Sequence, residues 1–378
     1  MAGKLDMRVE EISRGQRVEL LLDGEHVSGL TINDLQMHIG RAVVHMGGIG
    51  GVHTDQRHRL QGYSRRVCEY SNRYMFERGY DVSLLFGITD FYPKFGFVSC
   101  LPSYKLTLTT RTVERALRQA ARGRTPKVRL GRPEDFPRVR ALYNQEYACR
   151  TGSIFRTSRW KGFRMGSTWG SKTTTLVATV PGGRILAYAG VDDREDALTV
   201  FEVAGDPRAY GALLRALARE AVAKRVESMA FLLPPDDRFS LFSRRFGGTV
   251  TVNYPYTGGG MLRVINLATL FDKLSPELTA RLQAVGFSGP RRTFLLRTDI
   301  GSVRVTAGPA VVRVGSPRRG KQAVVEMAQH WLSPLLFGFR TVAEVASEPG
   351  VRIPQALRGL LGVLFPLQWA HVSRADYF

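Results

Sequence analysis

The residues with the clearest chemical potential lie in the run HTDQRHRLQGYSRR, between a glycine-rich strand pattern and a helical pattern. Gly62 lets the backbone come close to phosphate oxygens, which a Cβ atom would obstruct. The amides of such a loop and of the first helical turn point at a bound anion, and the helix dipole favours negative charge there. Further cationic donors in the run are Arg57, Arg59, Arg65 and Arg66. The run predicts a pyrophosphate-binding strand–loop–helix; the alternative is a solvated basic turn, because short Gly/Arg loops are common.

A helix and a buried strand must follow this loop to position it. The apolar residues at helical spacing are Val67, Tyr70, Tyr74 and Met75. Gly79 indicates the end of this helix. Residues 82–86 (VSLLF) then predict a short buried strand. Directly after it comes the segment Asp90-Phe91-Tyr92-Pro93-Lys94-Phe95-Gly96-Phe97.

The combination Arg59-x-x-Gly62-x-Ser64, helix, strand and Phe91-Tyr92-x-x-Phe95-Gly96-Phe97 resembles the GNAT superfamily of N-acetyltransferases. The order of the whole chain resembles the enhanced-intracellular-survival (Eis-like) acetyltransferases. This resemblance implies an α/β (α+β) fold of two tandem GNAT lobes, the second degenerate, and a C-terminal sterol-carrier-protein-like α+β domain. The expected boundaries are 1–125 for the first lobe, 126–265 for the second and 266–378 for the last domain. Ser64 stands where the superfamily usually has Gly or Ala.

Alternating patterns in the first lobe predict strands at Val18–Leu22, His26–Ile32 and Ala42–Met46, with Asp23-Gly24 as a hairpin turn. The run Gly47-Gly48-Ile49-Gly50-Gly51-Val52 is unusual for a strand and indicates a bulge or a close backbone approach by a ligand. In the superfamily this strand pairs with the pantetheine arm of coenzyme A. The resemblance therefore assigns cofactor contact to Val52, His53 and Thr54. A glycine-rich connection without a ligand is the alternative.

A complete lobe of this family begins with a strand and two helices before the hairpin, yet only 17 residues precede Val18. The first lobe is therefore expected to be N-terminally abbreviated. Either the acceptor pocket is unusually open, or another subunit closes it, or this is a naturally abbreviated form.

Later patterns repeat the strand–helix–strand order. A helix start is predicted at Arg132–Phe136, and Pro207 opens a helix to about Lys224. The strands predicted around them are Leu176–Val180, Arg184–Val191, Ala197–Val203 and Ser228–Leu233. Arg208-x-x-Gly211 echoes the phosphate loop, but Leu213 stands where Ser64 would, so a degenerate copy that only packs is expected. In the last domain, helices are predicted at Leu270–Leu282, Gly320–Leu332 and Thr341–Val345, and strands at Arg292–Thr298, Ser302–Ala307 and Ala310–Val314.

The resemblance also implies catalytic roles. Tyr92 is expected to be the general acid that protonates the coenzyme A thiolate, the alternative being a tyrosine that only packs on its aromatic neighbours. The main-chain carboxylate of Phe378 is expected to accept the proton of the amine, the alternative being a frayed terminus. Further coenzyme A contacts are implied at Arg59, Leu60, Gln61, Gly62, Tyr63, Ser64, Arg65, Gly87 and Ile88.

The net charge of +21 allows attraction of an anionic cofactor or of nucleic acid. No acidic residue occurs between Tyr147 and Val191, where basic and aromatic residues alternate. The members of this stretch are Arg150, Phe155, Arg156, Arg159, Trp160, Lys161, Phe163, Arg164, Trp169, Lys172 and Arg184. Such a mixture can stack bases, but no nucleic-acid motif accompanies it, so a loop with solvated arginines and half-buried aromatics is favoured.

The sequence thus predicts an acetyl-CoA-dependent N-acetyltransferase without a metal, acting on an aminoglycoside-, polyamine- or lysine-like amine. The alternatives are a non-catalytic coenzyme A or nucleic-acid binding protein and, more weakly, a lipid carrier. Three cysteines, Cys68, Cys100 and Cys149, suit a reducing compartment and are expected to be buried. No apolar run is long enough to span a membrane, and the N-terminus lacks a signal-peptide core, so a cytoplasmic protein is expected. The resemblance implies a homo-oligomer, in the family often a hexamer.

Overall fold

The computed structural model describes residues 3–119, 126–160, 162–163, 172–193, 198–318, 320 and 322–378. The chain forms two compact units. The first comprises Met1–Leu101, Pro255–Ala370 and Phe378, and the second comprises Pro102–Tyr254 and His371–Tyr377. The predicted boundaries at 125 and 265 differ from this division.

The N-terminal stretch builds most of a sheet and one long helix. Its elements are β1 Leu5–Ile12, β2 Gly15–Leu22, β3 Glu25–Ile39, β4 Ala42–Thr54, α1 Tyr63–Glu77, β5 Val82–Gly87 and β6 Val98–Leu101. The predicted hairpin is confirmed, since Asp23 and Gly24 both have positive φ between β2 and β3. The predicted helix and buried strand are confirmed as α1 and β5. Two residues join β1 to β2, so no helix lies between these strands.

The middle stretch contains most of a second sheet. Its elements are β7 Ser103–Thr109, α2 Thr110–Gln119, β8 Lys127–Leu130, α3 Phe136–Glu146, β9 Lys172–Thr179, β10 Ile185–Asp193, β11 Leu198–Gly205, α4 Tyr210–Ala223, β12 Ser228–Phe231, α5 Arg238–Ser243 and β13 Thr249–Asn253. The predicted helices and strands of this stretch are confirmed within a few residues, although Ala197 lies outside the described residues.

The last stretch adds a small sheet and four helices. Its elements are β14 Gly259–Val264, α6 Leu267–Ala284, β15 Arg292–Thr298, β16 Gly301–Ala307, β17 Val312–Gly315, β18 Ala323–Glu326, α7 Gln329–Leu336, α8 Val342–Val345 and α9 Gln355–Leu364. The prediction of a helix over Gly320–Leu332 is confirmed only from Gln329, where α7 begins, and was wrong over Ala323–Glu326, which form β18. Val324 and Val325 lie in β18, which pairs in parallel with β15, because β-branched residues suit a strand that has a partner. A short apolar run does not reveal that partner.

Two strands are exchanged between the sequence-predicted lobes. The first sheet has the order β1-β2-β3-β4-β5-β14-β6, so its strand β14 comes from after the second lobe. The second sheet has the order β13-β7-β12-β11-β10-β9-β8, so its strand β7 comes from before that lobe. The third sheet, in the first unit, has the order β17-β16-β15-β18. This exchange explains why the unit boundaries fall at Leu101 and Tyr254.

Within the first unit, Asp81 fixes helix α6 to the first sheet. Its buried carboxylate accepts hydrogen bonds from the His45 amide at 2.7 Å and the Thr269 hydroxyl at 2.6 Å. It also pairs with Lys273 Nζ at 2.5 Å. A buried carboxylate is stable only when such donors replace water. Helix α6 is therefore held beside strands β4 and β5.

The leucine-rich segments of the last stretch form an ordinary core. Helices α6, α7 and α9 pack on the third sheet around a cavity of about 10 Å³. That volume corresponds to about one water molecule. This cavity is too small to hold a lipid chain.

In the second unit, Asp237 begins helix α5 from a buried position. Its carboxylate accepts hydrogen bonds from the Phe239 amide at 2.8 Å and the Tyr147 hydroxyl at 3.2 Å. Burial nevertheless raises the pKa of Asp237 to about 6. Burial thus disfavours the charged form more than the hydrogen bonds favour it.

The raised pKa predicts that Asp237 makes folding depend on pH. The folded state binds its proton more tightly than the unfolded state, so this contribution is fully present below pH 4 and is lost as pH rises through about 6. Asp237→Asn keeps a capping oxygen without the charge, and should stabilise the protein by about 2–3 kcal/mol at pH 8 but little at pH 4. Urea unfolding at both pH values measures this.

A second N-cap in the same unit gives a control of opposite sign. Hydrogen bonds from Arg208 lower the pKa of Asp206 to about 2. Asp206→Asn should therefore weaken the fold at pH 8, where Asp237→Asn strengthens it. Equal effects of Asp237→Asn at pH 4 and pH 8 would contradict the assignment.

Candidate active site

The central feature of the first sheet is a fork between β4 and β5. The two strands pair in parallel from Met46 opposite Val82 to Ile49 opposite Leu85. Beyond this point β4 continues to Thr54, paired on its other side with β3. No described strand pairs with the β5-facing edge of Gly50–Thr54. That edge therefore presents backbone donors and acceptors to an extended ligand.

The predicted cofactor contacts Val52, His53 and Thr54 lie on this edge segment. The Ser28 hydroxyl on β3 donates to the His53 carbonyl at 2.8 Å and lies 2.9 Å from Thr54 Oγ1. The His53 ring stacks on His26, with 5.0 Å between ring centroids. These contacts hold the end of β4 against β3.

The predicted phosphate loop leads from β4 to α1. Asp55 caps a short 3₁₀ turn at Gln56–His58 by accepting a hydrogen bond from the Arg57 amide at 2.9 Å. Leu60 and Gly62 follow with φ of 62° and 78°, both in the left-handed region. Gly62 is the N-cap of α1 and supplies no side chain to cap it. The amides of the first turn therefore lack partners within the helix.

The loop residues are open to solvent. Arg59, Leu60, Gln61, Gly62 and Arg65 are exposed, and Tyr63 and Ser64 are half-buried. A methyl group at Gly62 would meet nothing within 4 Å, so glycine is required there by its backbone conformation and not by crowding. The amides at the start of α1, which no side chain of Gly62 caps, are donors that suit an anion.

Tyr92 follows the end of β5 by five residues and caps a 3₁₀ turn at Pro93–Phe95. Its ring covers Gly87, where a methyl group would lie 2.5 Å from Tyr92 Cδ2. Phe91 packs against it edge-to-face at 4.9 Å. Burial raises the pKa of Tyr92 to about 12, so the phenol stays protonated and can donate a proton. Ile88, the neighbour of Gly87, is exposed.

Phe378 lies on the fork from the opposite face of the sheet. Its ring covers Gly48, and its centroid is 5.7 Å from that of Phe86. Side chains alternate along a strand, so Gly48 and Phe86 share one face, and Leu85 and Gly87 share the other. The side chain of Tyr92 and the carboxyl group of Phe378 thus approach the fork from two sides.

The second sheet contains a similar separation of two strands, and side chains of the same unit bond to part of it. Strands β11 and β12 pair only from Leu198 to Val200, although β11 continues to Gly205. The Tyr147 hydroxyl donates to the Val203 carbonyl at 3.0 Å. The side chains of Arg156 and Ser373 both bond to Glu202, which is fully buried on β11.

Arg156 corrects the prediction that the arginines of the Tyr147–Val191 stretch are solvated. Its guanidinium is buried, donates to Glu202 at 2.6 and 2.8 Å and pairs with Asp376 at 2.9 Å. It also lies 3.5 Å from the centroid of the Tyr143 ring. Arg156 is therefore part of the core and unavailable for stacking on bases. Lys161 and residues 164–171 of this stretch lie outside the described residues.

Two smaller sequence predictions also have outcomes. Leu213 is fully buried, and Arg208 is paired with the Asp206 carboxylate. Cys68 and Cys100 are buried as predicted, whereas Cys149 is exposed.

Among the described residues, no group of His, Cys, Asp and Glu could hold a metal ion. None of the described helices combines the length and hydrophobicity needed to cross a bilayer.

Residues 7–100 match the family model for the acetyltransferase (GNAT) domain. This range contains the fork, the phosphate loop and Tyr92. No curated protein matches the chain in sequence.

Solved structures share the fold at low sequence identity. A GCN5-related N-acetyltransferase from Kribbella flavida is 17% identical with a TM-score of 0.71, covering 96% of this chain and 87% of that one. A probable N-acyltransferase from Enterococcus faecalis is 15% identical with a TM-score of 0.76, covering 96% and 89%. Eis1 from Mycobacterium abscessus is 17% identical with a TM-score of 0.64, covering 97% and 92%. The chain thus has the GNAT fold, and its residues 7–100 match the model of the acetyltransferase (GNAT) domain.

Proposed function

We propose that the protein is an acetyl-CoA-dependent N-acetyltransferase that acts on a primary amine. The observation that carries this proposal is the fork of β4 and β5, with a protonated phenol on one face and a carboxyl group on the other. Transfer of an acetyl group to an amine needs one proton acceptor and one proton donor. The two groups supply these from opposite sides of the fork.

The cofactor would lie along the free edge of β4, with its diphosphate at the start of α1. Acetyl-CoA supplies a thioester that accepts a nucleophile and releases a thiolate. The residues proposed to bind it are Val52, His53, Thr54, Arg59, Leu60, Gln61, Gly62, Tyr63, Ser64, Arg65, Gly87 and Ile88. The fit rests on the unpaired strand edge and on the uncapped amides of the loop.

The proposed acetyl transfer contains two proton transfers. The carboxylate of Phe378 takes a proton from the acceptor's ammonium, directly or through water, so that the neutral amine can attack. As the new C–N bond forms and the C–S bond breaks, the Tyr92 phenol gives its proton to the departing sulfur. The nitrogen of the new amide then loses its extra proton, which returns to the Tyr92 phenolate through water, and the Phe378 carboxyl group releases its proton to solvent. Because the pKa of Tyr92 is about 12, the phenol is protonated throughout the working range of pH.

The acceptor is proposed to be an aminoglycoside, a polyamine or a lysine-bearing peptide. Release of free coenzyme A, measured with a panel of these three classes, tests the proposal. Turnover with at least one class is expected. Binding of acetyl-CoA without turnover of any acceptor would overturn the enzymatic function.

The remaining features of the Eis-like resemblance are also proposals. They are the sterol-carrier-protein-like nature of residues 266–378, the cytoplasmic location and assembly into a homo-oligomer, with a hexamer as the expected form. Sedimentation of the purified protein measures the last of these.

Gly62→Asp should abolish tight binding of acetyl-CoA. The new carboxylate would lie beside the diphosphate and repel it, so we expect affinity to fall by about 10²-fold or more. Gly350→Asp is a matched control, because Gly350 also has positive φ (76°) and open space around its α-carbon. Titration calorimetry compares the two; equal affinities would contradict the assignment of the loop.

Tyr92→Phe should lower kcat by about 10²–10⁴-fold, because the departing thiolate loses its proton donor. The KM for acetyl-CoA should change little, since the ring remains. Tyr74→Phe on α1 makes the same chemical change elsewhere in this unit and should keep the wild-type rate. An unchanged kcat in Tyr92→Phe would show that the phenol only packs.

A glycine added after Phe378 should lower kcat by about 10²-fold, because it replaces the carboxylate with a neutral amide. Phe378→Leu keeps the carboxylate and should lose less activity. Steady-state kinetics of both variants decide the point. A full rate in the extended protein would exclude the terminal carboxylate as the proton acceptor.

A further inference from the structure

The glycines of β4 fall into two sets on opposite faces of the strand. Gly47 and Ile49 face α1, where Gly47 lies against Met75 and Ile49 joins the apolar core. Gly48 and Gly50 face the other way, because side-chain direction alternates with each residue. The repeat therefore leaves two adjacent positions on one face without side chains.

Phe378 occupies this bare surface. A methyl group at Gly48 would lie 2.8 Å from Cε2 and Cζ of the Phe378 ring. A methyl group at Gly50 would lie 2.7 Å from the main-chain carboxyl carbon of Phe378. Both distances are below the 3.5–4.0 Å of ordinary carbon contacts. Any residue other than glycine would displace the ring at position 48 and the carboxyl group at position 50.

Close approach of a cofactor does not explain why position 48 is a glycine. This residue lies in the paired part of the two strands, opposite Leu84, so its backbone already belongs to the sheet. Its carbonyl also accepts a hydrogen bond from Asn33 Nδ2 at 3.0 Å. The contact that requires the absence of a side chain at Gly48 is the one with the Phe378 ring.

We propose that Gly48 and Gly50 are positioning residues that form a seat for Phe378. Gly48 accepts the aromatic ring, which Phe86 borders, and Gly50 accepts the main-chain carboxyl group. The seat sets how far the carboxyl group reaches into the fork. This proposal rests on the proposed function, because it assigns the seat a part in the proton transfer made by Phe378.

The seat makes a specific prediction about paired substitutions. Gly48→Ala should lower kcat by about 10-fold or more and leave the affinity for acetyl-CoA within about 2-fold, because only the carboxylate is displaced. In a protein that already carries Phe378→Ala, the ring is gone and Gly48→Ala should change kcat by less than about 2-fold. Gly50→Ala should remain harmful in both proteins, because its methyl group meets the main chain, which Phe378→Ala retains.

Thermal unfolding of the same variants tests the contact between Gly48 and Phe378 independently of the proposed enzymatic function. Gly48→Ala should lower the melting temperature alone but not in combination with Phe378→Ala, whether or not an acceptor is found. Gly362→Ala in α9 is the control, since a methyl group there meets nothing within 4 Å, and it should leave kcat unchanged. Equal effects of Gly48→Ala with and without the Phe378 ring, in kcat and in melting temperature, would overturn the seat. Coupling in melting temperature without any turnover would confirm the contact but overturn its part in proton transfer.

Discussion

The loss of pairing between β4 and β5 after Ile49 and Leu85 is the constraint on which the site depends. Backbone amides and carbonyls on a strand edge need partners, and a sheet that opens in its middle exposes them on two sides. The backbone groups exposed between the separated strands therefore need hydrogen-bond partners from a ligand, from water or from the protein. In the first sheet the free edge continues into a loop of exposed amides, and aromatic residues close both faces. Shape, hydrogen-bonding capacity and charge all favour an extended anionic ligand there.

The two sheets differ in what lies beside the strand segment that has lost its partner. In the second sheet, β11 separates from β12 after Val200, and protein side chains bond to the exposed segment. Glu202 there would be a buried uncompensated charge without Arg156. These hydrogen bonds and the altered loop distinguish the second sheet from the first.

Local features were predicted well from the sequence, and pairings across the chain were not. The loop at Gly62, the hairpin at Asp23 and the strand before Tyr92 depend on neighbouring residues, whose spacing is visible in one window. The exchange of β7 and β14 depends on partners more than a hundred residues away in sequence, which no periodicity records. Arg156 was expected in solvent because its acidic partners, Glu202 and Asp376, lie 46 and 220 residues away in sequence. The spacing of Gly48 and Gly50 could be read from the sequence, but their contact with Phe378 could not.

The exchanged strands also bear on how the protein can be made. The edge of β5 has no neighbour until β14 has been synthesised, and β12 needs β7, which precedes it. During translation, one edge of β5 remains unpaired until the whole middle stretch has been synthesised. Unpaired strand edges favour incorrect pairing and aggregation. Cutting the gene at the apparent lobe boundary would yield two fragments that each lack an inner strand. Secretion or display of either half alone is therefore a poor route to a folded catalyst.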